Sequence, residues 1–253
     1  MSGFDGTVYG FRKGIFPYDA GYSIQEMGKY LAKTLRENGI KDGLVLDLGC
    51  GTGEMTRRLR DRGYDMIGVD SSLEMLDEAG KSGAEGILYL NQDMRSFELY
   101  GTVRAIVSVC DTMNYLTTEK DFVKVLRLAN NYLDPDGIFI FDLKTAHFFK
   151  NCMGESTFAE NLEDLSYIWE NSYDEKKRIN EYFLTMFFKE KQGYKKSEEL
   201  HIQRAYPVSK IRQMTKKAGM KFEKALDADT YGPVTPGSKR IYIILREQGK
   251  GNE

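Results

Sequence analysis

The sequence predicts an α/β protein with a doubly wound, mostly parallel sheet and an inserted antiparallel β meander. Short apolar runs alternate with helical patterns from residue 44 to residue 143, which is typical of parallel strands joined by crossover helices. The strands are apolar along their length, as expected where helices cover both faces of a parallel sheet. Aromatic-rich extended runs interrupt the alternation between about residues 158 and 206 and indicate the insert.

The elements follow from capping signals and from the spacing of apolar residues. Ser23 and Glu26 form a capping box for a first helix that ends before Gly39. The next elements are predicted in the order strand Leu44–Leu48, helix Glu54–Asp61, strand Met66–Val69, a helix opened by Ser71, strands Ile87–Leu90 and Val103–Val109, a helix containing Phe122 to Leu133, and strand Ile138–Leu143. The insert is predicted as three strands, and a helix over Val208–Ala218 with strands Lys221–Leu226 and Arg240–Leu245 completes the fold.

Composition and charge restrict the class of protein. The 253 residues are 41% hydrophobic and 29% charged, which is typical of an ordered globular chain. Lys and Arg total 36 against 38 Asp and Glu, so a net charge of −2 gives no general attraction to a nucleic-acid backbone. We therefore expect neither nucleic-acid binding nor, without a long apolar run, insertion into a membrane. A monomer and a homodimer are both compatible with the sequence.

The cysteines and histidines are few and scattered. Cys50, Cys110 and Cys152 fit neither a disulfide framework nor a zinc knuckle, which favours a reducing, cytoplasmic compartment. His147 and His201 are the two histidines, so a multi-histidine metal centre is not expected. Cys50 and Cys110 are interpreted as small buried residues, because no neighbouring basic residue would activate them as nucleophiles.

Three alternating glycines follow the first strand and precede a helix. Gly49, Gly51 and Gly53 let the backbone approach a ligand at a place where a Cβ atom would collide with it. A dinucleotide fingerprint needs glycine or alanine at position 54, where this chain has Glu54. A carboxylate at a helix N-terminus disfavours a phosphate there, so the predicted ligand has no pyrophosphate at this loop.

The segment Asp47 to Gly53 resembles the first motif of the class I S-adenosylmethionine-dependent methyltransferases. Asp70 ends the second strand, 17 residues beyond Gly53, where the family's acidic residue binds the ribose hydroxyls. Asp93 and Met94 follow the third strand, where the family binds adenine. The segment from Val107 to Leu116 resembles the corresponding segment of small bacterial enzymes that act on small molecules. The resemblance implies a seven-stranded Rossmann-like sheet with a reversed last hairpin.

The resemblance also implies positions for the cofactor and the acceptor. The implied S-adenosylmethionine-binding residues are Tyr22, Asp47, Gly49, Cys50, Gly51, Gly53, Asp70, Ser71, Met75, Asp93, Met94 and Cys110. If the acceptor must lose a proton, the candidate bases are Asp111 and His201. The candidate acceptor-binding residues are Tyr18, Asn114, Tyr115, Arg204 and Tyr206.

Plainer interpretations of these residues remain open at the sequence level. The glycines are compatible with an ordinary tight turn, Asp70 with a helix cap and Asp93 with a solvated loop. Asp111 and Asn114 suit Asx turns as well as substrate contact. His201 shares a strand face with Gln203, and the sequence favours an exposed surface position for it over a place in the site.

The sequence predicts two units and leaves the acceptor undefined. Residues 1–157 and 207–253 are expected to form the cofactor-binding domain, and residues 158–206 an antiparallel insert that covers the acceptor site. The predicted function is methyl transfer from S-adenosylmethionine to a nitrogen, oxygen or carbon atom of a small molecule. The alternatives are a non-catalytic S-adenosylmethionine-binding interaction protein and an NAD(P)-dependent oxidoreductase.

Overall fold

The computed structural model describes residues 23–250, and the elements follow the predicted order. The helices are α1 (Ile24–Glu37), α2 (Glu54–Arg60), α3 (Leu73–Lys81), α4 (Glu119–Tyr132) and α5 (Val208–Ala218). The strands are β1 (Leu44–Leu48), β2 (Asp65–Asp70), β3 (Ile87–Asn91), β4 (Val103–Ser108), β5 (Leu133–Lys144), β6 (Thr157–Asn161), β7 (Leu165–Asp174), β8 (Ile179–Glu190), β9 (Gly193–Arg204), β10 (Lys221–Asp227) and β11 (Arg240–Arg246).

Seven strands form the main sheet in the order β10-β11-β5-β4-β1-β2-β3. Strands β1 to β5 pair in parallel, whereas β11 runs antiparallel to both β5 and β10. The seven-stranded sheet with a reversed last hairpin is therefore confirmed. Its strand order reverses between β1 and β4, which is where ligands of open α/β sheets bind.

Helices cover both faces of this sheet. Leu31 of α1 and Leu59 of α2 pack with apolar residues of β1, β4 and β5 on one face. Phe122 of α4 and Ile211 of α5 pack on the other. The central strands are therefore buried from both sides, which explains why they are apolar along their length.

The helix boundaries follow local capping. Ser23 caps α1 by accepting a hydrogen bond from the backbone N–H of Glu26, as the capping box predicts. The cap of α3 is Ser72 rather than the expected Ser71, and its hydroxyl accepts from the N–H of Met75. Gly219 ends α5 with a φ of 80°, in the left-handed region that favours glycine.

The insert is a separate sheet of four antiparallel strands, β6-β7-β8-β9. The sequence predicted three of them, and β6 is the additional strand. Four of its five residues are exposed, so it lacks the alternating apolar pattern by which a strand is recognised. Leu165, Tyr167 and Trp169 of β7 pack with Leu184 and Met186 of β8 in the core of the insert.

The topology places one end of the insert against the main sheet. The chain leaves β5 at Lys144, passes through a π-helical turn at Phe148–Met153, and enters β6. It returns from β9 directly into α5, so the insert is attached beside the carboxyl end of β5. Within residues 23–250, no helix is long and apolar enough to cross a membrane.

Candidate active site

The glycine loop between β1 and α2 depends on left-handed backbone conformations. The φ angles of Gly49, Gly51 and Gly53 are 80°, 53° and 73°. A Cβ atom on Gly49 would lie 2.1 Å from the Cγ2 atom of Thr112, so the fold itself requires glycine there. A Cβ atom on Gly51 would meet nothing within 4 Å, and Gly51 lines a cavity beside the loop. Gly51 is therefore the position where glycine leaves room for a ligand.

Asp70 fixes the shape of this loop from the end of β2. One carboxylate oxygen accepts a 2.8 Å hydrogen bond from the N–H of Gly51, and the other accepts a 2.9 Å bond from the N–H of Ser72. Asp70 therefore joins the glycine loop to the start of α3 and faces the cavity. This arrangement adds a positioning function to the ribose contact expected from the sequence.

Asp47 lies beneath the loop with 1% of its surface exposed. It accepts a 2.6 Å hydrogen bond from the hydroxyl of Thr56 in α2. Burial raises the pKa of Asp47 to about 7, and the Thr56 hydrogen bond opposes this shift. Asp47 ties the strand to the helix and can change protonation state near neutral pH.

Asp93 lies beyond β3 and is paired with Arg95. The two side chains form a bidentate ion pair, with nitrogen to oxygen distances from 2.5 to 3.0 Å. Hydrogen bonds from Arg95 hold the pKa of Asp93 below its usual range. Asp93 is therefore anionic at neutral pH, as expected of a residue that accepts a hydrogen bond from an amino group.

A cavity of about 510 Å³ extends from the glycine loop to the insert. The predicted cofactor residues that line it are Asp47, Gly49, Cys50, Gly51, Asp70, Ser71, Met75, Asp93, Met94 and Cys110, and the predicted catalytic and acceptor residues that line it are Asp111, His201 and Tyr115. Gly53 caps α2 and is not part of the lining. The predicted residues Tyr18 and Tyr22 lie outside the described residues.

Three predicted acceptor-binding residues lie outside the cavity lining, and the structure gives each a packing role instead. Asn114 is fully buried and its amide bridges the backbone of Lys144 and Arg204. The Tyr206 ring packs on Phe122 in the main core, and its hydroxyl donates to the carbonyl of Leu116. Arg204 donates to the carbonyl of Thr117 and lies over the Tyr206 ring. This geometry therefore offers no support for a substrate contact by these three side chains.

Asp111 belongs to a buried group of charges at the carboxyl ends of β4 and β5. Its carboxylate faces the ammonium of Lys144 at 3.2 Å and the guanidinium of Arg240 at 3.1 Å, and it accepts a 2.7 Å hydrogen bond from Gln203. Burial opposes ionisation, but the two cations hold the pKa of Asp111 below its ordinary value. A carboxylate so stabilised is a weak proton acceptor, which disfavours Asp111 as the general base.

Asp142 completes this group from within β5. It accepts a 2.8 Å hydrogen bond from the N–H of Asp111 and pairs with Arg240. Cys110 and Asp111 adopt φ angles of 60° and 55°, a conformation that is costly for residues other than glycine. The buried ion pairs and the Asp142 hydrogen bond hold this strained turn next to the cavity.

An aromatic cluster closes the opposite end of the cavity, where the insert meets the main sheet. The Tyr115 hydroxyl lies 3.0 Å from the Tyr182 hydroxyl and 2.9 Å from His201 Nδ1. Tyr182 stacks on the His201 ring with centroids 4.5 Å apart, and Trp169 packs against Tyr182. The sequence placed the aromatic residues Trp169 and Tyr182 in the insert that is expected to cover the acceptor site, but it gave no signal that Lys144 lines the cavity.

Comparisons with known proteins decide the family. A family model described as a methyltransferase domain matches residues 45–137. The Bacillus subtilis (strain 168) protein named "Putative methyltransferase YqeM" is 33% identical over 232 residues, covering 90% of this chain and 89% of the relative. The chain is a class I S-adenosylmethionine-dependent methyltransferase. The comparisons give no support to an oxidoreductase or to a non-catalytic binding protein.

Two other methyltransferases match different lengths of this methyltransferase. An S-adenosylmethionine-dependent methyltransferase structure from Clostridium acetobutylicum ATCC 824 matches with a TM-score of 0.84 at 25% identity, covering 94% of this chain and 99% of that chain. A glycine/sarcosine N-methyltransferase from Aphanothece halophytica is 32% identical over 120 residues, covering 46% of this chain and 44% of the relative. The match to the Clostridium acetobutylicum structure includes the insert, whereas the match to the Aphanothece halophytica enzyme covers less than half of the chain.

The residues of the methyltransferase cavity fit its cofactor. The space in front of Gly51 is the cradle that a Cβ atom would partly fill, and Asp70 and Asp93 present carboxylates to the same cavity. When bound, S-adenosylmethionine supplies an activated methyl group on a sulfonium sulfur. Among residues 23–250, no cluster of His, Cys, Asp and Glu side chains has the arrangement needed to hold a metal ion.

Proposed function

We propose that this methyltransferase transfers its methyl group to a small molecule held between the 3-10 helix at Thr112–Tyr115 and the insert. The observation that carries the proposal is the continuity of one cavity. Gly51 and Asp70 line it at the cofactor end, and Trp169 and His201 of the insert line it at the other end. Methyl donor and acceptor can therefore meet within a single cavity.

The cofactor residues divide by chemistry in this proposal. Asp70 accepts hydrogen bonds from the ribose hydroxyls, and Asp93 accepts one from the adenine amino group. Met75 and Met94 supply apolar surface beside them. Cys50, Ser71 and Cys110 also line the cofactor end of the cavity. Asp47 and Gly53 stabilise the glycine loop.

The insert, residues 158–206, covers the acceptor in this proposal. Its aromatic side chains exclude water from the reacting atoms, and Tyr115 contacts the acceptor from the main domain. Methyl transfer is an in-line displacement at an activated carbon, so alignment in a dry site supplies much of the acceleration. Asp111 contributes by holding Lys144 and the strained turn in place rather than by taking a proton.

Three independent features support a small acceptor. A volume of about 510 Å³ is within the range of small-molecule sites and also has to hold the cofactor. The glycine/sarcosine N-methyltransferase described above is named for a small amine acceptor. The chain's net charge of −2 also gives no general attraction for a nucleic-acid acceptor.

The proposal is tested with methyl-labelled S-adenosylmethionine and a panel of acceptors. The panel contains glycine, sarcosine, glucosamine, catechol, total RNA and a denatured protein fraction. We expect label in at least one small acceptor and none in RNA or protein. Transfer to RNA or protein alone, or to nothing on the panel while the cofactor binds, would contradict the proposal.

A matched pair of variants shows whether the label depends on the assigned site. Asp70→Ala removes the carboxylate that shapes the loop, so labelling should be lost. Asp77→Ala changes an exposed aspartate of α3 and should label at the wild-type rate. Equal labelling by the two variants would place the reaction elsewhere in the protein.

A further inference from the structure

The contact between Tyr115 and His201 crosses the boundary between the main domain and the insert. Tyr115 ends the 3-10 helix after β4, and His201 lies on β9, 86 residues later. Tyr115 is 43% exposed and lines the cavity, so its side chain is accessible to a ligand there. The other ring nitrogen of His201, Nε2, lies 3.1 Å from the carboxylate of Glu199.

The chemistry of the three groups fixes the direction of their hydrogen bonds. An ionised carboxylate only accepts hydrogen bonds, so the Nε2–H group of His201 donates to Glu199. In the neutral imidazole, Nδ1 is then an acceptor, and the Tyr115 hydroxyl donates to it across 2.9 Å. The chain of donors therefore runs from the cavity to Tyr115, then to His201, and ends at Glu199.

Neighbouring rings hold this chain in place. Tyr182 stacks on His201 with an angle of 10° between the ring planes and also reaches the Tyr115 hydroxyl. The side chains of His201 and Glu199 are only 15% and 18% exposed, so water competes weakly for their hydrogen bond. These two residues are thus arranged as a histidine oriented by a carboxylate, as in enzymes that use histidine as a base.

We propose that Tyr115, His201 and Glu199 form a proton relay that deprotonates an aliphatic amine acceptor. This inference rests on the proposed function and names the chemical class of its acceptor. Tyr115 is the catalytic residue that contacts the amine. His201 receives the proton from Tyr115, and Glu199 is a positioning residue that stabilises the resulting imidazolium.

The proton and electron balance closes without a further reactant. An alkylammonium acceptor gives one N–H proton to the Tyr115 oxygen while the Tyr115 proton moves to His201 Nδ1. The freed nitrogen lone pair forms the new N–C bond as the C–S bond breaks, and the electron pair of that bond stays on sulfur. The products are a methylated ammonium, S-adenosylhomocysteine and an imidazolium, which later releases its proton to solvent.

Proton affinities favour an amine over an alcohol. A free imidazole has a pKa of ~6.5, and an alkylammonium such as the lysine side chain has one of ~10.4. Bulk water has a pKa far above that of an ammonium, and an aliphatic hydroxyl resembles water more than it resembles an ammonium. An ammonium proton is therefore much easier to transfer than the proton of an aliphatic hydroxyl. The rings of Trp169 and Tyr182 also line the cavity and provide aromatic surface that attracts a cation.

The kinetic test uses the amine that the panel identifies and variants that keep the fold. Tyr115→Phe should lower kcat about 100-fold, within the usual range for proton-transfer groups, and Glu199→Gln about tenfold. The dissociation constant of S-adenosylhomocysteine should stay within threefold in both. Tyr194→Phe and Glu198→Gln are the controls, because both residues are exposed on the same strand, and Glu198 pairs with Lys196 rather than with His201.

Chemical rescue tests whether His201 accepts a proton or only packs beside Tyr115. His201→Ala leaves a space beside Tyr115, and added imidazole should raise its kcat about tenfold. Imidazole should leave Tyr115→Phe unchanged, because that variant lacks the hydroxyl through which the proton passes. No rescue of His201→Ala, together with a Tyr115→Phe kcat within threefold of wild type, would overturn the relay.

Nitrogen-15 NMR of the histidine rings tests the relay without any acceptor. The chain has two histidines, so His201→Gln assigns the signals directly. We expect Nε2 of His201 to carry the proton and Nδ1 to be unprotonated at pH 8, with the Nδ1 signal shifting in Tyr115→Phe. A proton on Nδ1 would overturn the relay even if amines are methylated. Failure of the whole panel with the expected NMR signature would instead contradict the proposed function.

Discussion

At the scale of single residues, the site combines a buried acid, a glycine loop and a partly exposed carboxylate. Asp47 is fully buried, Gly51 borders open space and Asp93 is partly exposed. Substitution of Asp47 is therefore followed by the stability of the protein, and substitution of Gly51 or Asp93 by the affinity for S-adenosylhomocysteine. Predictions at this scale separate the stability of the loop from its affinity for the cofactor.

Asp47 should make stability depend on pH. Its pKa is raised to about 7, whereas an unfolded aspartate has one of ~3.9, so the unfolded chain loses this proton first as pH rises. The group therefore lowers the free energy of unfolding between pH ~4 and ~7, by up to about 1.4 kcal/mol per pH unit. Asp47→Asn does not titrate and should gain stability relative to wild type over this interval, as measured by urea unfolding at pH 5, 6, 7 and 8. A free energy of unfolding that depends on pH equally in Asp47→Asn and in wild type would contradict the prediction. Asp77→Asn is the control, and its stability should depend on pH as that of wild type does.

Gly51→Val should abolish binding of S-adenosylhomocysteine. The branched side chain enters the space in front of the loop, and the φ angle of 53° adds backbone strain. Gly63→Val is the matched control, because Gly63 also has a positive φ, meets nothing within 4 Å and lies away from the cavity. Calorimetry should show binding in the control alone, and equal affinities would mean that the loop does not contact the cofactor.

Asp70→Ala should weaken cofactor binding by ~2–4 kcal/mol, the range for losing charge-assisted hydrogen bonds in a partly buried site. Asp93→Ala should cost less, because one amino group is involved and Arg95 already pairs with this carboxylate. Titration with S-adenosylhomocysteine measures both variants. A larger loss for Asp93→Ala would reverse the assignment of the ribose and adenine ends.

At the scale of elements, one buried amide joins three segments. Asn114 in the 3-10 helix bonds the N–H and the carbonyl of Lys144 at the end of β5 and the carbonyl of Arg204 at the end of β9. Because β9 is the last strand of the insert, Asn114 fixes the insert against the main sheet. The Tyr115 hydroxyl is positioned by the same short helix.

Asn114→Ala should therefore lower the free energy of unfolding by ~2–4 kcal/mol, since it leaves buried backbone groups without a partner. It should also slow methyl transfer by displacing Tyr115 from His201. Urea unfolding and steady-state kinetics measure the two effects. Asn151→Ala alters an exposed asparagine and should change neither, whereas an unchanged stability of Asn114→Ala would remove its proposed role.

The elements that the sequence predicted well are those with local signals. The capping box at Ser23, the apolar parallel strands and the glycine loop all follow from neighbouring residues. Strand β6 was missed because its side chains are mostly exposed. Asn114 and Tyr206 were expected to bind the acceptor from the family resemblance, but their partners lie 30 to 90 residues away. Such distant contacts leave no periodicity in the sequence.

At the scale of the whole molecule, a buried group of charges connects the last strand to the active-site turn. Arg240 of β11 bonds both Asp111 and Asp142. Lys144 supplies the second cation, and Gln203 links the group to the insert. The sequence did not reveal this network, because its members are spread over 130 positions and each looks like a surface charge in isolation.

Arg240→Met should destabilise the protein by ~3–5 kcal/mol, since it removes the cation paired with buried Asp142 and one of the two cations that face Asp111. Activity should fall as well, because the Asp111 turn loses one of its supports. The free energy of unfolding in urea at pH 7.5 measures the first effect. Lys239→Met changes the exposed neighbouring residue and should stay within ~0.5 kcal/mol of wild type. Similar losses for both variants would show that the network is not critical.

The contact of Tyr115 with His201 has a consequence for how the protein matures. The described residues assigned to the cofactor lie before position 111, around the carboxyl ends of adjacent parallel strands, whereas the proposed relay contact closes a loop of 86 residues. Long loops close late, and chains emerge from the ribosome N-terminus first. We therefore expect a growing chain to acquire affinity for the methyl donor before it can use it. The relay can form only after the chain has extended past His201, so a shorter chain would bind the donor without using it.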